Sequence, residues 1–173
     1  MGLDISYYSN VVESNDKTFE DGLFIHDSFL EYQLGSLKKL YVYDLTEKSE
    51  SGRFRADSYS GYNFWRNKLA IFAGYGSAEN VWKKYNFMSN GMRYFKLKKI
   101  SNEEVNIEPF VELIYFSDCE GIIGPEICKK LYEDFVKFDD EAQKVDYGYF
   151  YEKYLDWKEA FRVASDGGLV HFH

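Results

Sequence analysis

The chain is poor in cysteine and proline. Its 173 residues contain two cysteines, Cys119 and Cys128, and their spacing matches neither a C-x-x-C redox motif nor a disulfide framework. The two prolines, Pro109 and Pro125, do not form a linker, and no Gly/Ser-rich stretch divides the chain. We therefore expect a single globular domain over residues 1–173 that works in a reducing cytoplasm.

Positive charge and long apolar runs are also scarce. Lys and Arg total 21 against 29 Asp and Glu, which gives a net charge of −8 at pH 7. Such a chain is unsuited to nonspecific binding of nucleic acid phosphates. No window approaches the roughly 18 apolar residues of a membrane span, and the start lacks the charged and apolar segments of a secretion signal. Neither nonspecific nucleic acid nor a membrane is therefore an expected partner.

The common catalytic signatures are absent from the sequence. It contains no G-x-x-x-x-G-K-[ST] phosphate loop, no G-x-G-x-x-G dinucleotide fingerprint and no G-x-S-x-G nucleophile elbow. The spacing of its residues reveals no nucleophile paired with a base. We expect no cofactor, and a role in binding is favoured over a role in catalysis.

The chain is rich in apolar and aromatic side chains, which make up 45% and 20% of its residues. This is enough to form a packed core. Alternation predicts strands over 3–12 and 38–45, with an irregular segment over 13–36 between them. An extended segment over 54–59 leads into a helix along which Tyr62, Trp65, Leu69 and Phe72 share one face, and Gly74 ends this helix.

The second half of the chain predicts the remaining elements. The polar, Lys-rich segment 77–108 is typical of a short helix with hairpin strands. The apolar run 110–116 predicts a central strand that is buried on both faces. Pro125 opens an amphipathic helix, another helix begins at about Glu141, and residues 169–173 form a terminal strand. These elements predict an α+β fold with a central, mostly antiparallel or mixed sheet and about three helices packed on it.

Three of the chain's five arginines fall within residues 53–66. A guanidinium presents a planar fork of donors to a phosphate, and aromatic rings offer stacking faces. A Ser-Gly turn that enters a helix also leaves backbone N–H groups free for an anion. The alternative is that the aromatic residues belong to the core and the arginines pair with surface carboxylates. The candidate ligand-binding residues of this segment are Arg53, Arg55, Ser58, Tyr59, Ser60, Tyr62, Asn63, Trp65 and Arg66.

The acidic loop 117–124 follows the predicted central strand. Loops at the carboxyl ends of strands border the usual ligand crevice of sheet-and-helix proteins. Ser117, Asp118 and Glu120 are therefore further candidates, since carboxylates accept hydrogen bonds from ribose hydroxyls or an exocyclic amine. The alternative is that one acid caps the following helix. In the binding hypothesis, the arginines near position 60 and the acids near position 119 line one cavity.

The C-terminal segment 166–173 adds Asp166 and His171 to the candidate ligand-binding residues. If residues 169–173 form a strand, His171 and His173 project from the same face, as in histidine pairs that bind a metal. His26 or Asp118 would then complete a set of three ligands. The favoured alternative is a strand whose histidines hydrogen-bond in the core or at the rim of a pocket.

Four segments carry a resemblance: the MGLDI start, SYSGYN-x-WR over 58–66, FSDCEG-x-IGP over 116–125 and DGG-x-V-x-FH over 166–173. Together they resemble a family of small uncharacterised proteins encoded by bacteria and their phages. The resemblance spans nearly the whole chain. It implies a phage or prophage setting in the cytoplasm of a bacterial host and no catalytic assignment.

These observations favour a non-catalytic protein that sequesters a small anionic, nucleotide-like ligand. The arginines would bind the charge, the aromatic residues would stack on a ring, and the acids would accept hydrogen bonds. By analogy with phage sponges that sequester nucleotide immune signals, such capture would counter host defence. The alternatives are a metal-dependent or acid-base hydrolase of a similar ligand and an acidic inhibitor of a protein partner. The high aromatic content is also compatible with a homo-oligomer.

Overall fold

The computed structural model describes residues 2–15, 22–29, 31–85 and 109–173. Its strands are β1 (Leu3–Tyr8), β2 (Val12–Glu13), β3 (Leu23–Phe24), β4 (Val42–Asp44), β5 (Ser51–Asp57), β6 (Gly121–Ile123) and β7 (Leu169–Phe172). Its helices are α1 (Glu31–Leu34), α2 (Tyr59–Phe72), α3 (Ala78–Lys84), α4 (Val111–Tyr115), α5 (Pro125–Lys137), α6 (Asp139–Ala142) and α7 (Phe150–Ala164).

The predicted α+β fold is confirmed. A four-stranded antiparallel sheet has the order β5-β1-β7-β6, so the first and last strands of the chain lie side by side at its centre. The predicted terminal strand is therefore an internal strand, hydrogen-bonded on both sides. Its central position protects the C-terminal residues from the fraying that usually affects a chain end.

One face of this sheet carries the main core. Leu3 and Ile5 of β1 are fully buried there, two residues apart, as the alternation of a half-buried strand requires. α7 lies on this face, where the ring of Trp157 is 5.0 Å from that of Phe54 on β5 and 5.4 Å from that of Phe172 on β7. α2 and α5 complete the layer, in agreement with the expectation of about three helices packed on the sheet.

The opposite face of the sheet, which we call the outer face, is only partly covered. β2, β4 and β3 form a small antiparallel sheet that, with α1, encloses a second hydrophobic cluster around Ile25, Leu34 and Tyr43. Ile122 of β6 and Leu169 of β7 join this cluster from the large sheet. The remainder of the outer face, near the start of β1 and the end of β7, presents polar side chains.

The prediction of a central strand over 110–116 is wrong. Residues 111–115 form the short helix α4, which follows Phe110 in a left-handed conformation with a φ of 62°. Val111, Leu113 and Ile114 are completely buried, because α2, α3 and α5 all contact α4. A short apolar run of this kind is typical of either a buried strand or a helix buried on all sides, and periodicity does not separate the two.

The prediction of one final helix from about Glu141 is also wrong. The chain forms the one-turn helix α6 first, and the long helix α7 begins only at Phe150. Gly148, with a φ of 52°, lies in the connection and interrupts the helical path. Pro125 occupies the first turn of α5, as predicted. The helix α3 confirms the short helix expected within 77–108. The hairpin strands expected in that segment fall on residues 86–108, which lie outside the described ranges.

A partly buried ion cluster joins α4 to α5. The ammonium of Lys130 lies 2.6 Å from a carboxylate oxygen of Glu112 and 2.7 Å from one of Asp134. The same Asp134 oxygen accepts a hydrogen bond from the backbone N–H of Phe110, at 2.9 Å. Burial raises the pKa of Asp134 above its ordinary value, and the charge of Lys130 opposes that effect. The ammonium is thus the counter-charge that allows two carboxylates to lie beneath the surface.

Replacing Lys130 by Met should lower the free energy of unfolding by about 3–5 kcal/mol at pH 7, since two buried carboxylates lose their partner. The loss should shrink as the pH falls toward 4, because the raised pKa of Asp134 means that the folded state favours its protonated form. Chemical denaturation at several pH values measures both effects. Lys129→Met, on the exposed side of the same helix turn, is the matched control, with an expected change within about 0.5 kcal/mol.

Candidate functional site

The predicted ligand-binding residues do not form one site. The structure distributes most of them among three places: a cleft at the start of α2, a buried network around Arg66, and the outer face of the large sheet. Asn63, Arg66 and Asp118 do come together, which confirms that α2 and the 117–124 loop converge. Arg53 and Arg55 lie on the outer face, away from α2, so the expectation of one cavity shared by all the arginines and acids is wrong.

The first of these places is a cleft between the start of α2 and the segment that precedes α7. Its volume is about 560 Å³. We call it the aromatic cleft and define it by its principal side chains, Asp57, Ser58, Ser60, Phe64, Lys68, Tyr147, Tyr149 and Lys153, with Trp65 and Phe150 at its base.

Exposed aromatic rings distinguish this cleft. Phe64, Tyr147 and Tyr149 are 64%, 45% and 76% exposed, whereas most other aromatic residues of the described ranges are buried or half-buried. The ammonium of Lys68 lies 4.3 Å from the ring centre of Tyr147 and 5.1 Å from that of Phe64. Lys68 forms no ion pair with any carboxylate of the described residues. The cleft therefore combines exposed aromatic rings with a positive charge that has no carboxylate partner among the described residues.

The start of α2 does not offer the open anion site that the Ser-Gly turn predicted. The Ser58 hydroxyl accepts a hydrogen bond from the backbone N–H of Gly61 at 3.0 Å and caps the helix. The Asp57 carboxylate accepts a hydrogen bond from the backbone N–H of Ser58 at 2.6 Å. This carboxylate also lies against Gly61: a Cβ atom added at Gly61 would be only 2.3 Å from the carboxyl carbon of Asp57. The protein's own carboxylate thus already faces the positive end of the helix dipole.

Several residues of the aromatic cleft were not predicted from the sequence. Lys68 and Lys153 lie on helices, where a lone lysine is usually a solvated surface residue. Tyr147 and Tyr149 were assigned to a continuous helix, which would have separated them from α2. The signal that could have found them is Gly148, because a glycine between two tyrosines favours a break in the helix with the rings left exposed.

At the second place, the Arg66 network, the arginine side chain is closed to solvent. Arg66 is 4% exposed, and its guanidinium donates to the carbonyl oxygen of Phe116 at 2.5 Å and to the side-chain oxygen of Asn63. Asn63 in turn donates to a carboxylate oxygen of Asp118 at 2.7 Å. The network therefore joins α2 to the segment after α4, and the predicted role of Arg66 in holding a ligand's charge finds no open surface.

Aromatic rings flank the Arg66 guanidinium on two sides. It lies 5.2 Å from the ring centre of Tyr62 and 5.1 Å from that of Trp82 on α3. Tyr62 and Trp65 are core residues, with exposed fractions of 0% and 6%. Neither offers a free stacking face, so the alternative assignment of these two rings to the core is the correct one.

The third place is the uncovered part of the outer face. Six side chains project from it. Two belong to β5 (Arg53 and Arg55), two to β1 (Asp4 and Ser6) and one to β7 (His171), and His173 directly follows β7. The pairing brings Arg53 opposite Ser6 and Arg55 opposite Asp4, while Ser6 also lies opposite His171. We call these six side chains the polar grid. As predicted, the two histidines share one face, and their ring centres are 4.0 Å apart.

Burial controls the charge of the two histidines. It lowers the pKa of His171 to about 4, and the neighbouring His173 adds to the effect. The pKa of His173 is also lowered by burial and by Arg53, while Asp4 opposes the shift. Both imidazoles are therefore neutral at pH 7.

The remaining candidates lie in turns and at the core. The Ser117 hydroxyl accepts from the backbone N–H groups of Cys119 and Glu120, at 3.3 and 3.4 Å, and shapes the loop. A carboxylate oxygen of Asp166 accepts from the Asn10 side chain at 2.8 Å. The side chain of Glu120 is exposed, and Tyr59 packs against the main core.

The metal alternative gains no support from the geometry. Within residues 2–15, 22–29, 31–85 and 109–173, no three His, Cys, Asp or Glu side chains cluster in a way that could hold a metal ion. Asp118 is engaged by Asn63, and His26 is hydrogen-bonded to Ser28 at 2.8 Å, so neither completes a set with His171 and His173.

No protein-family model, curated protein or solved structure matches this chain. Among the helices of the described residues, none has the length and apolar character needed to cross a bilayer.

Replacing Ser58 by Ala should lower the free energy of unfolding by about 1 kcal/mol, because the first turn of α2 loses its cap. Ser60→Ala, two residues further on at an exposed position, should change it by less than about 0.5 kcal/mol. Thermal or urea unfolding of the two variants gives the comparison. Equal effects would show that the Ser58 hydroxyl does not cap the helix.

The stability of the protein should decrease between pH 6.5 and pH 4 because of His171. Its folded-state pKa is about 4, so over this interval the unfolded chain takes up a proton that the folded protein does not. The slope from this group approaches about 1.4 kcal/mol per pH unit. His171→Gln should flatten the pH dependence of the unfolding free energy. An unchanged slope in His171→Gln would contradict the assignment.

Proposed function

We propose that this protein binds a small molecule with a flat ring and a negatively charged group in the aromatic cleft, and holds it without altering it. The observation that carries this proposal is the grouping of exposed Phe64 and Tyr147 around the unpaired ammonium of Lys68, with exposed Tyr149 in the same cleft. The cleft volume of about 560 Å³ also falls within the range of small-molecule sites, roughly 300–1,000 Å³.

The chemistry of the lining favours a nucleotide-like ligand. A base that covers these rings would remove apolar surface from water and gain stacking energy. Lys68 would attract a phosphate, and Lys153 adds a second ammonium, which now donates to the carbonyl oxygen of Arg55 at 2.7 Å. The hydroxyl of Ser60 and the carboxylate of Asp57 are suited to ribose hydroxyls or an exocyclic amine.

Capture without turnover fits the same lining. Lys68, Lys153 and Asp57 are charged groups that position a ligand, and within the described part of the cleft no hydroxyl or thiol nucleophile is hydrogen-bonded to a histidine or carboxylate base. The phage setting implied by the sequence resemblance gives such capture a role, the sequestration of a host nucleotide signal. That setting rests on the resemblance alone.

Titration calorimetry with nucleoside monophosphates and cyclic dinucleotides tests the proposal. The double variant Phe64→Ala/Tyr149→Ala should weaken binding about 5- to 150-fold, since a stacked base contributes about 1–3 kcal/mol. Leu155→Ala, which removes an exposed apolar side chain of α7 outside the cleft, is the matched control and should bind as the wild type does. Lys68→Gln should weaken binding and reduce its dependence on salt, and Lys129→Gln should do neither.

The same samples separate capture from turnover. After incubation and denaturation, mass spectrometry should recover the ligand unchanged. A product would contradict the non-catalytic part of the proposal, and unchanged affinity in Phe64→Ala/Tyr149→Ala would contradict the assignment to the cleft. Mass spectrometry of small molecules that copurify with the wild type, and are lost from this variant, would identify the natural ligand.

A further inference from the structure

We propose that the polar grid on the outer face is a second binding site, specific for a diphosphate group on a small molecule. This site is distinct from the aromatic cleft, because the grid lies on the face of the sheet opposite α2 and α7. The two proposals are independent of one another.

Strand pairing builds the grid in two rows. Arg53, Ser6 and His171 form one row across β5, β1 and β7, and Arg55 and Asp4 lie in the next row, beside His173. Neighbouring rows are about 6.8 Å apart along a strand, because residues that share a face are two positions apart. The backbone therefore fixes the spacing of the positions from which the two arginines project.

The two arginines of the grid have no ionic partner. Both are exposed, and neither forms an ion pair or a side-chain hydrogen bond within the described residues. Arg162, on α7, shows the usual arrangement in this acidic chain, since its guanidinium lies 2.6 Å from Glu50 and 2.8 Å from Glu159. With 29 carboxylates available against 21 lysines and arginines, two adjacent guanidinium groups without a partner mark a local surplus of positive charge.

The Arg55 side chain reaches across to the start of β1. Its guanidinium lies close to Gly2, where an added Cβ would come within 2.1 Å of the nearest nitrogen. The guanidinium therefore lies over the edge of β1 that also carries Asp4.

The histidines add neutral polar groups to the same surface. The Nε2 atom of His173 lies 3.0 Å from the Ser6 hydroxyl, so these two groups already share a hydrogen bond. The Nδ1 atom of His171 is buried and has no hydrogen-bond partner. His171 stands in the same row as Arg53, so its unsatisfied Nδ1 atom favours a polar ligand over this row.

The charges favour an anion over a metal cation at this site. Asp4 is the one carboxylate of the grid, and it is flanked by Arg55 and by the imidazole of His173. Two guanidinium groups would repel a cation, and a phosphate oxygen matches their forked donors. Arg53 and Arg55 project from positions about 6.8 Å apart along β5, so each guanidinium can engage one phosphate of a diphosphate.

Titration with sodium pyrophosphate at constant ionic strength and pH 7 tests this inference, with the imidazole ¹H–¹⁵N signals of His171 and His173 as the readout. Both signals should shift and saturate. The double variant Arg53→Gln/Arg55→Gln should weaken binding by at least about 10-fold, because each guanidinium makes charge-assisted hydrogen bonds. Arg162→Gln, which removes an exposed guanidinium outside the grid, should leave the affinity unchanged.

Three results would overturn the proposal: no saturable shift in the wild type, an equal loss of affinity in Arg162→Gln, or orthophosphate binding as tightly as pyrophosphate. The variant Phe64→Ala/Tyr149→Ala keeps the two proposed sites distinguishable. It should bind pyrophosphate as the wild type does, and a loss of pyrophosphate binding in that variant would place the anion in the cleft and contradict the grid.

Discussion

The antiparallel pairing of β1 with β5 on one side and β7 on the other is the constraint on which the rest of the structure depends. It joins the two ends of the chain at the centre of one sheet. Because successive side chains of a strand alternate between faces, this register sends Leu3, Ile5 and Phe172 to the aromatic core. The same register sends Asp4, Ser6 and the histidines to the outer face. A slip of one residue would exchange the two sets and bury charge in the core.

The segment 53–66 shows how one stretch of sequence can serve three environments. In β5, alternation places Arg53 and Arg55 on the outer face and Phe54 against Trp157. The strand ends at Asp57 and α2 begins at Tyr59, so from there side chains return to the same face every three or four residues. Tyr62 and Arg66 therefore point into the protein, while Phe64 faces the cleft. The change from a period of two to a period of 3.6 therefore divides the arginines, although they are close neighbours in the sequence.

Positive charge among the described residues of this acidic protein is held in two ways. Ion pairs with carboxylates are formed by Arg162 and by Lys38, Lys83, Lys130, Lys153 and Lys158, while Lys68 in the cleft and Arg53 and Arg55 in the grid form none. Arg66 is compensated differently, by a carbonyl oxygen, an amide and two aromatic rings. The contrast separates a cation that holds the fold together from cations that remain available to a ligand.

The sequence by itself determined the α+β class, the helix after Pro125, the helix over Tyr62 to Phe72, the terminal strand and the common face of His171 and His173. These features follow from local periodicity and caps, which act over a few residues. Tertiary structure alone decided that residues 111–115 form a helix, because only the neighbours that surround an apolar run determine how many of its sides are buried. It also decided that Tyr147 and Tyr149 meet Phe64 and Lys68, because contacts between distant segments depend on how the helices pack on the sheet, which local patterns do not encode.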